Sequence, residues 1–146
     1  IKTMVENHGY FCQESERVEK LVKTVDHPNF GALVDIGNFA CADEDCPSAV
    51  ARLMPYAFHV HAKDFHTRPG GSPHPGEGWF PTRAGNFLRG AVVGRGEIPV
   101  IECLAVVKEA GYDGDLAIEY EGVEDVLTSI QAGYDNLKAY VAEICT

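Results

Sequence analysis

Four times along this 146-residue chain, an apolar run short enough for a strand is followed by a stretch with helical spacing. This alternation limits the possible folds more than any other feature. The first pair is "IKTMVE" and "SERVEKLVKTV", where Val18, Leu21, Val22 and Val25 fall at i, i+3, i+4 and i+7 and Ser15 stands at the expected cap. The second joins "GALVDIG" to "DCPSAVARLM", with Asp45 as cap, Pro47 in the first turn and Pro55 at the stop. The third opens with "YAFHVHAK" and, after a long irregular segment, reaches "IPVIECLAVVKEAGY", whose stripe of Val100, Cys103, Leu104 and Val107 ends at Gly111. The fourth pairs "DLAIEY" with "VEDVLTSIQAGYDNLKAYVAEI", apolar at Leu127, Ile130, Tyr134, Leu137 and Val141. Each helix carries the chain back so that the next strand runs the same way, so the expected class is α/β with a parallel sheet. The usual closures are a (β/α)₈ barrel or an open doubly wound sheet. No G-x-G-x-x-G follows the first strand, and "GRGE" at 94–97 is too short to cradle a dinucleotide phosphate.

With 45% hydrophobic residues the chain is rich enough to bury the core of one ordinary domain. It holds no run of about 18 apolar residues and no basic-then-apolar leader, so neither a membrane span nor a signal peptide is expected and a cytoplasmic home is the default. The five cysteines are scattered without paired C-x-x-C clusters and read as reduced structural thiols. A formal charge of −10 repels a phosphate backbone, and no basic stripe offsets it, so nucleic acid is not an expected partner. The chain opens directly in a strand-like pattern, "IKTMVEN", which suggests a piece of something longer.

Each strand closes on a group able to bind a metal: Glu6, Asp35, His61 and Glu119. In the stretch "AFHVHAKDF" the alternation of a strand puts His59, His61 and Lys63 on one face and Phe58, Val60 and Ala62 on the other. Singly, each acid has an ordinary surface explanation. In parallel sheets and barrels, however, the C-terminal strand ends converge on one face, so four such positions can meet. Three carboxylates and an imidazole form a mostly oxygen site for one divalent ion, Mn²⁺ or Mg²⁺, with Co²⁺ or Zn²⁺ also suited. The segment 64–97, with eight glycines and four prolines, is expected to be an irregular loop over that active face. Its Arg68, Arg83, Arg89, Arg95, His66, His74 and Trp79 suggest a lid gripping an anionic or polyhydroxylated substrate.

The motifs "ENHG", "LVDIGNF", "HVHAKDF", "GRGE" and "AGYDGDLAIEYEG", taken in order, resemble the second half of the sugar phosphate isomerase/epimerase family, the xylose isomerase-like (β/α)₈ barrels. The resemblance spans nearly the whole chain and implies that 1–146 form the barrel's fifth to eighth strands with their helices. It implies Glu6, Asp35, His61 and Glu119 as ligands of one divalent metal, with Glu6 and Glu119 doubling as acid/base catalysts. His59 is then one layer deeper, orienting or packing, while Lys63 reaches the mouth and joins His8 and Arg95 as substrate-binding residues. The implied activity is a metal-dependent isomerase or epimerase on a sugar or polyol, abstracting a proton next to a metal-chelated carbonyl/hydroxyl pair.

Two departures stand out. Asn38 occupies the position where the family often carries a histidine, which argues against a multi-metal centre such as the three-zinc site of the related endonuclease IV. The first four strands are missing, and a barrel of this type needs about 250 residues. Association with the missing N-terminal half or with a second copy is therefore expected. Rival functions are a dehydratase or lyase on the same scaffold, a degenerate binding protein, or an inactive fragment.

Overall fold

The computed structural model describes residues 1–145. Four parallel strands, β1 (Thr3–Glu6), β2 (Phe30–Asp35), β3 (Ala57–Ala62) and β7 (Leu116–Ile118), form one sheet in sequence order. Helices α1 (Ser15–Val25), α2 (Cys46–Leu53), α3 (Val100–Glu109) and α4 (Val126–Ile144) follow them. All four strand–helix units read from the sequence are present, with strand ends trimmed by a residue or two. Among the described residues no helix is long and apolar enough to cross a membrane.

The helices cover one face of the sheet. Ala32, Val34, Val60 and Ala62 point into that layer and are fully buried against a core that includes Val18, Val50, Leu53, Cys103 and Leu104. The opposite face carries Leu33, His59 and Ala117, each only half-buried. Among the described residues β1 pairs only with β2 and β7 only with β3, so both sheet edges are open. Beside the β7 edge lies an apolar groove of about 670 Å³ lined by Leu116, Ile118, Ile130, Tyr134, Leu137 and Val141. The apolar stripe of α4 therefore turns only partly inward: Leu137 is buried, whereas Leu127, Ile130 and Tyr134 are exposed.

The helix starts show how local rules and tertiary contacts divide the work. Asp45 caps α2 by accepting from the Ser48 N–H at 3.1 Å, as its position predicts. Ser15 does not cap α1; Glu14 holds the cap position, and Ser15 is the first helical residue. The free N–H of Ser15 is instead satisfied by Glu44 from the segment after β2, whose carboxylate accepts from Ser15 N and Oγ at 2.8 Å each. A carboxylate at that end is also favoured by the helix dipole.

The segment 64–97 corrects the expectation of an irregular loop. It contains a three-stranded antiparallel sheet of β4 (Asp64–Arg68), β6 (Phe87–Ala91) and β5 (Phe80–Pro81), with β6 central. Its inner face delivers Phe65 and Leu88 to the core, and Phe80 packs edge-on against Phe65 at 5.8 Å. The high glycine content has structural causes. A Cβ on Gly90 would lie 2.2 Å from the Glu121 carbonyl oxygen, so this close approach of β6 to the chain after β7 requires glycine.

Asp64 anchors the return of this excursion. Its buried carboxylate accepts N–H groups from Phe65, Gly94, Gly96 and Ile98 at 2.8–3.1 Å, wrapping "GRGE" around one side chain. Asp64→Ala strands several buried donors at about 1–3 kcal/mol each. The expected outcome is a chain destabilised by roughly 3 kcal/mol or more in urea unfolding, cleaved by protease first within 66–97.

Candidate metal centre

The parallel ladder sets the geometry of the site. Asp35 is level with His61, and His61 with Ala117, while Glu6 is level with Leu33. Glu6 thus lags Asp35 by two residues and Glu119 leads by two, the stagger of strands tilted across one face. Because every strand runs the same way, the four side chains converge. Their ligand atoms lie within 4.8 Å of one another. His61 Nδ1 stands 3.2 Å from Glu119 Oε2, 3.7 Å from Glu6 Oε1 and 3.9 Å from Asp35 Oδ2.

Asp35 is the most constrained member. Asn7, buried just past β1, accepts from the Asp35 N–H and donates to the Asp35 carbonyl, both at 2.8 Å, and so extends the β1–β2 ladder with a side chain. Asp35 Oδ1 accepts from the Gly37 and Asn38 N–H groups at 2.9 Å. Gly37 is required there because a Cβ would meet the Lys63 carbonyl oxygen at 2.7 Å. Asp35 Oδ2 is buried with no hydrogen-bond partner among the described residues, facing His61 and Lys63.

Lys63 holds the carboxylates together. The expectation of a lysine standing at the mouth does not match its placement: the side chain is 1% exposed. Its Nζ donates to Asn38 Oδ1 at 3.1 Å and stands 3.0 Å from Glu119, 3.3 Å from Glu121 and 3.8 Å from Asp35. Burial opposes its charge, but Asp35, Glu121 and Glu119 outweigh that and hold the ammonium above its usual range. For Glu119, burial raises the carboxyl, but the hydrogen bond and charge of Lys63, together with hydrogen bonds to Asp35 and His61, outweigh it and leave the carboxyl below its ordinary value. Burial dominates at Asp35 and drives its carboxyl well up, against the pull of Lys63 and the Asn38 N–H.

This imbalance bears on metal binding. A fully buried carboxylate with one oxygen lacking a donor is costly unless a cation sits beside it. The residues present therefore fit a divalent ion, and the hard oxygen-rich donor set suits Mg²⁺ or Mn²⁺.

The other residues singled out from sequence lie around this cluster. His59 packs edge-on against His61, ring centroids 5.2 Å apart. His8 is exposed, its N–H bonded to the Glu6 carbonyl at 2.9 Å. Arg95 is exposed at the tip of the "GRGE" turn, away from any ion pair among the described residues. Asn7, Asp64 and Glu121 escaped the sequence reading, because polar residues just past a strand end look alike whether buried or solvated. Asn38 stood out only as a departure from a histidine. Its role as acceptor for Lys63 needed the fold.

A family model described as the xylose isomerase-like TIM barrel matches residues 1–140. The chain belongs to the xylose isomerase-like TIM barrel family. A solved member from Mycobacterium smegmatis, in complex with magnesium, superposes with a TM-score of 0.73 at 17% identity, covering 99% of this chain and 45% of that one. A D-tagatose 3-epimerase-like protein superposes at 0.67 and 26% identity, covering 99% and 48%. A probable 3-DHS dehydratase from Bacillus anthracis superposes at 0.66 and 18% identity, covering 92% and 47%. The chain thus spans about half the length of these relatives. No curated protein matches it in sequence.

Replacing Lys63 by Met removes a buried ammonium that stands beside Asp35, Glu119 and Glu121. Breaking a buried ion pair in this way costs about 3–5 kcal/mol. Lys63→Met is expected to unfold at markedly lower denaturant than the parent when both are measured in chelator.

Proposed function

We propose that this chain is the C-terminal half, the fifth to eighth strands, of a metal-dependent isomerase or epimerase acting on a sugar or sugar-derived polyol. The observation that carries the reading is the convergence of Glu6, Asp35, His61 and Glu119 from four successive parallel strands around a buried carboxylate oxygen that lacks a hydrogen-bond partner among the described residues. The magnesium-bound and epimerase-like relatives support it.

Glu6, Asp35, His61 and Glu119 hold the ion in this reading. When bound, a divalent ion supplies Lewis acidity that polarises substrate oxygens and acidifies the adjacent C–H. The protein's part is to move the proton. Glu6 and Glu119 come from the outer two of the four strands, and in this reading each acts on one side of the substrate. The carboxylate kept ionised by Lys63, Glu119, is fitted to accept a proton, and Glu6 to return one across the substrate. Asp35, locked at both backbone and side chain, holds the centre in place. In this reading His8 and Arg95, both exposed on loops, contact the substrate.

The same proton abstraction followed by loss of a β-hydroxyl would make a dehydratase, and the structural likeness to the Bacillus anthracis protein favours this as the second reading. Substrate profiling with detection of water loss separates the two.

Metal analysis tests the ligand set. The full-length protein containing this chain is expected to retain about one divalent ion per active site and its His61→Ala variant to lose most of it; full occupancy in the variant would overturn the assignment.

Completeness is tested separately. An uncovered inner sheet face, two open edges and the 670 Å³ groove call for four further βα units. The 146 residues alone are expected to self-associate or precipitate with little turnover. Joined to four preceding βα units they are expected to give a monomeric barrel core that exchanges substrate C–H for deuterium in D₂O. A well-behaved, fully active 15.9 kDa monomer would contradict this.

A further inference from the structure

The small antiparallel sheet has two faces of opposite character. Phe65 is level with Gly90, and Leu88 lies between Thr67 and Phe80 in the ladder; this side meets the core. The alternate positions project from the other side, where His66 stands opposite Arg89 and Arg68 opposite Phe87. Trp79, one residue before Phe80, falls beside Arg89 on that same side.

Two guanidiniums gather on this one indole. The Arg68 and Arg89 Cζ atoms lie 5.5 and 5.6 Å from the Trp79 ring centroid. Stacking on an aromatic face offsets part of their mutual repulsion but supplies no counter-charge. Arg68 Nη1 donates to the carbonyl of neighbouring Thr67 at 3.1 Å and, among the described residues, to no carboxylate. Arg89 has a single loose contact, 3.4 Å to the 46%-exposed side chain of Glu124, and its buried Nε has no hydrogen-bond partner among the described residues. A chain with 22 acidic against 12 basic residues has carboxylates to spare. Neither arginine receives the two-pronged acceptor that a guanidinium favours. The cluster is also fixed in place: Gly90, next to Arg89, lies against the Glu121 backbone, in the segment that leads on from Glu119.

We propose that this face binds an anionic group, a phosphate or a carboxylate, gripped by Arg68 and Arg89 beside Trp79. The site stands on contacts separate from those of the metal centre. Joined to the proposed function, on which this step rests, it makes the substrate class a phosphorylated or acidic sugar.

Trp79 is the only tryptophan in the chain, so its fluorescence reports the site directly. Titration at constant ionic strength, with chelator present, is expected to give a saturable emission change with inorganic phosphate and with a sugar phosphate. Neither the parent sugar nor chloride should produce it. Arg68→Met and Arg89→Met are each expected to weaken the midpoint by about tenfold, the scale of one charge-assisted hydrogen bond. Arg68 is exposed, so its variant tests the site even where Arg89→Met perturbs folding. Repeating the titration with Mg²⁺ distinguishes the sources: a sugar phosphate that then binds more tightly than phosphate marks the substrate's own anion, and equal binding marks free phosphate. Absence of a saturable response to either anion, or midpoints unchanged in both variants, overturns the proposal. Because the readout needs no metal and no turnover, its failure leaves the metal-centre reading standing, and loss of metal binding in His61→Ala leaves this one standing.

Discussion

The buried carboxylate of Asp35 is the constraint on which the site depends. Its backbone is held by Asn7, one oxygen is fixed by the Gly37 and Asn38 N–H groups, and the other is left facing His61 and Lys63. An ionised group in that position is tolerable only if cations surround it. Lys63 is one such cation, itself buried and shared with Glu119 and Glu121. A divalent ion among the four converging donors would be the second. The glycine at position 37 belongs to the same arrangement, since any side chain there would push β2 away from the Lys63 backbone.

Around this centre the molecule is finished on one side and open on the other. The helix-facing layer is packed to the last residue at Ala32, Val34, Val60 and Ala62. The inner face, both sheet edges and the groove between β7 and α4 are not. Parallel sheets are ordinarily covered on both faces, because their strands leave no solvated side. The four converging side chains therefore assemble from one set of four strands whose inner face stays uncovered. The antiparallel excursion between β3 and α3 is tied down through Asp64 and through Asp43, which accepts from Thr82, Ala84 and Asn86 at 2.7–2.8 Å.

Much of this was legible in the residues. Apolar periods of two and of 3.6 gave the four βα units, and parallel strands place their C-terminal ends together, so Glu6, Asp35, His61 and Glu119 could be picked out as a group before any coordinates. Asp45 could be named as a cap because the interaction lies within three residues.

What the sequence could not decide was every feature that depends on which distant groups meet. Ser15 looked like a cap, yet Glu44 took over the satisfaction of that helix end from 29 positions away. Lys63 looked like a strand-end lysine reaching solvent, yet three carboxylates from other elements drew it inside. The glycine- and proline-rich segment 64–97 looked irregular, because its glycines serve close approaches such as that of Gly90 or left-handed turns such as those at Gly71 and Gly85, and its strands are short, so no period emerges over any window. Local pattern fixes the elements, since propensity and side-chain alternation act over a few residues. Burial, charge pairing and the gathering of Arg68 and Arg89 on Trp79 are long-range properties, and only the tertiary structure sets them.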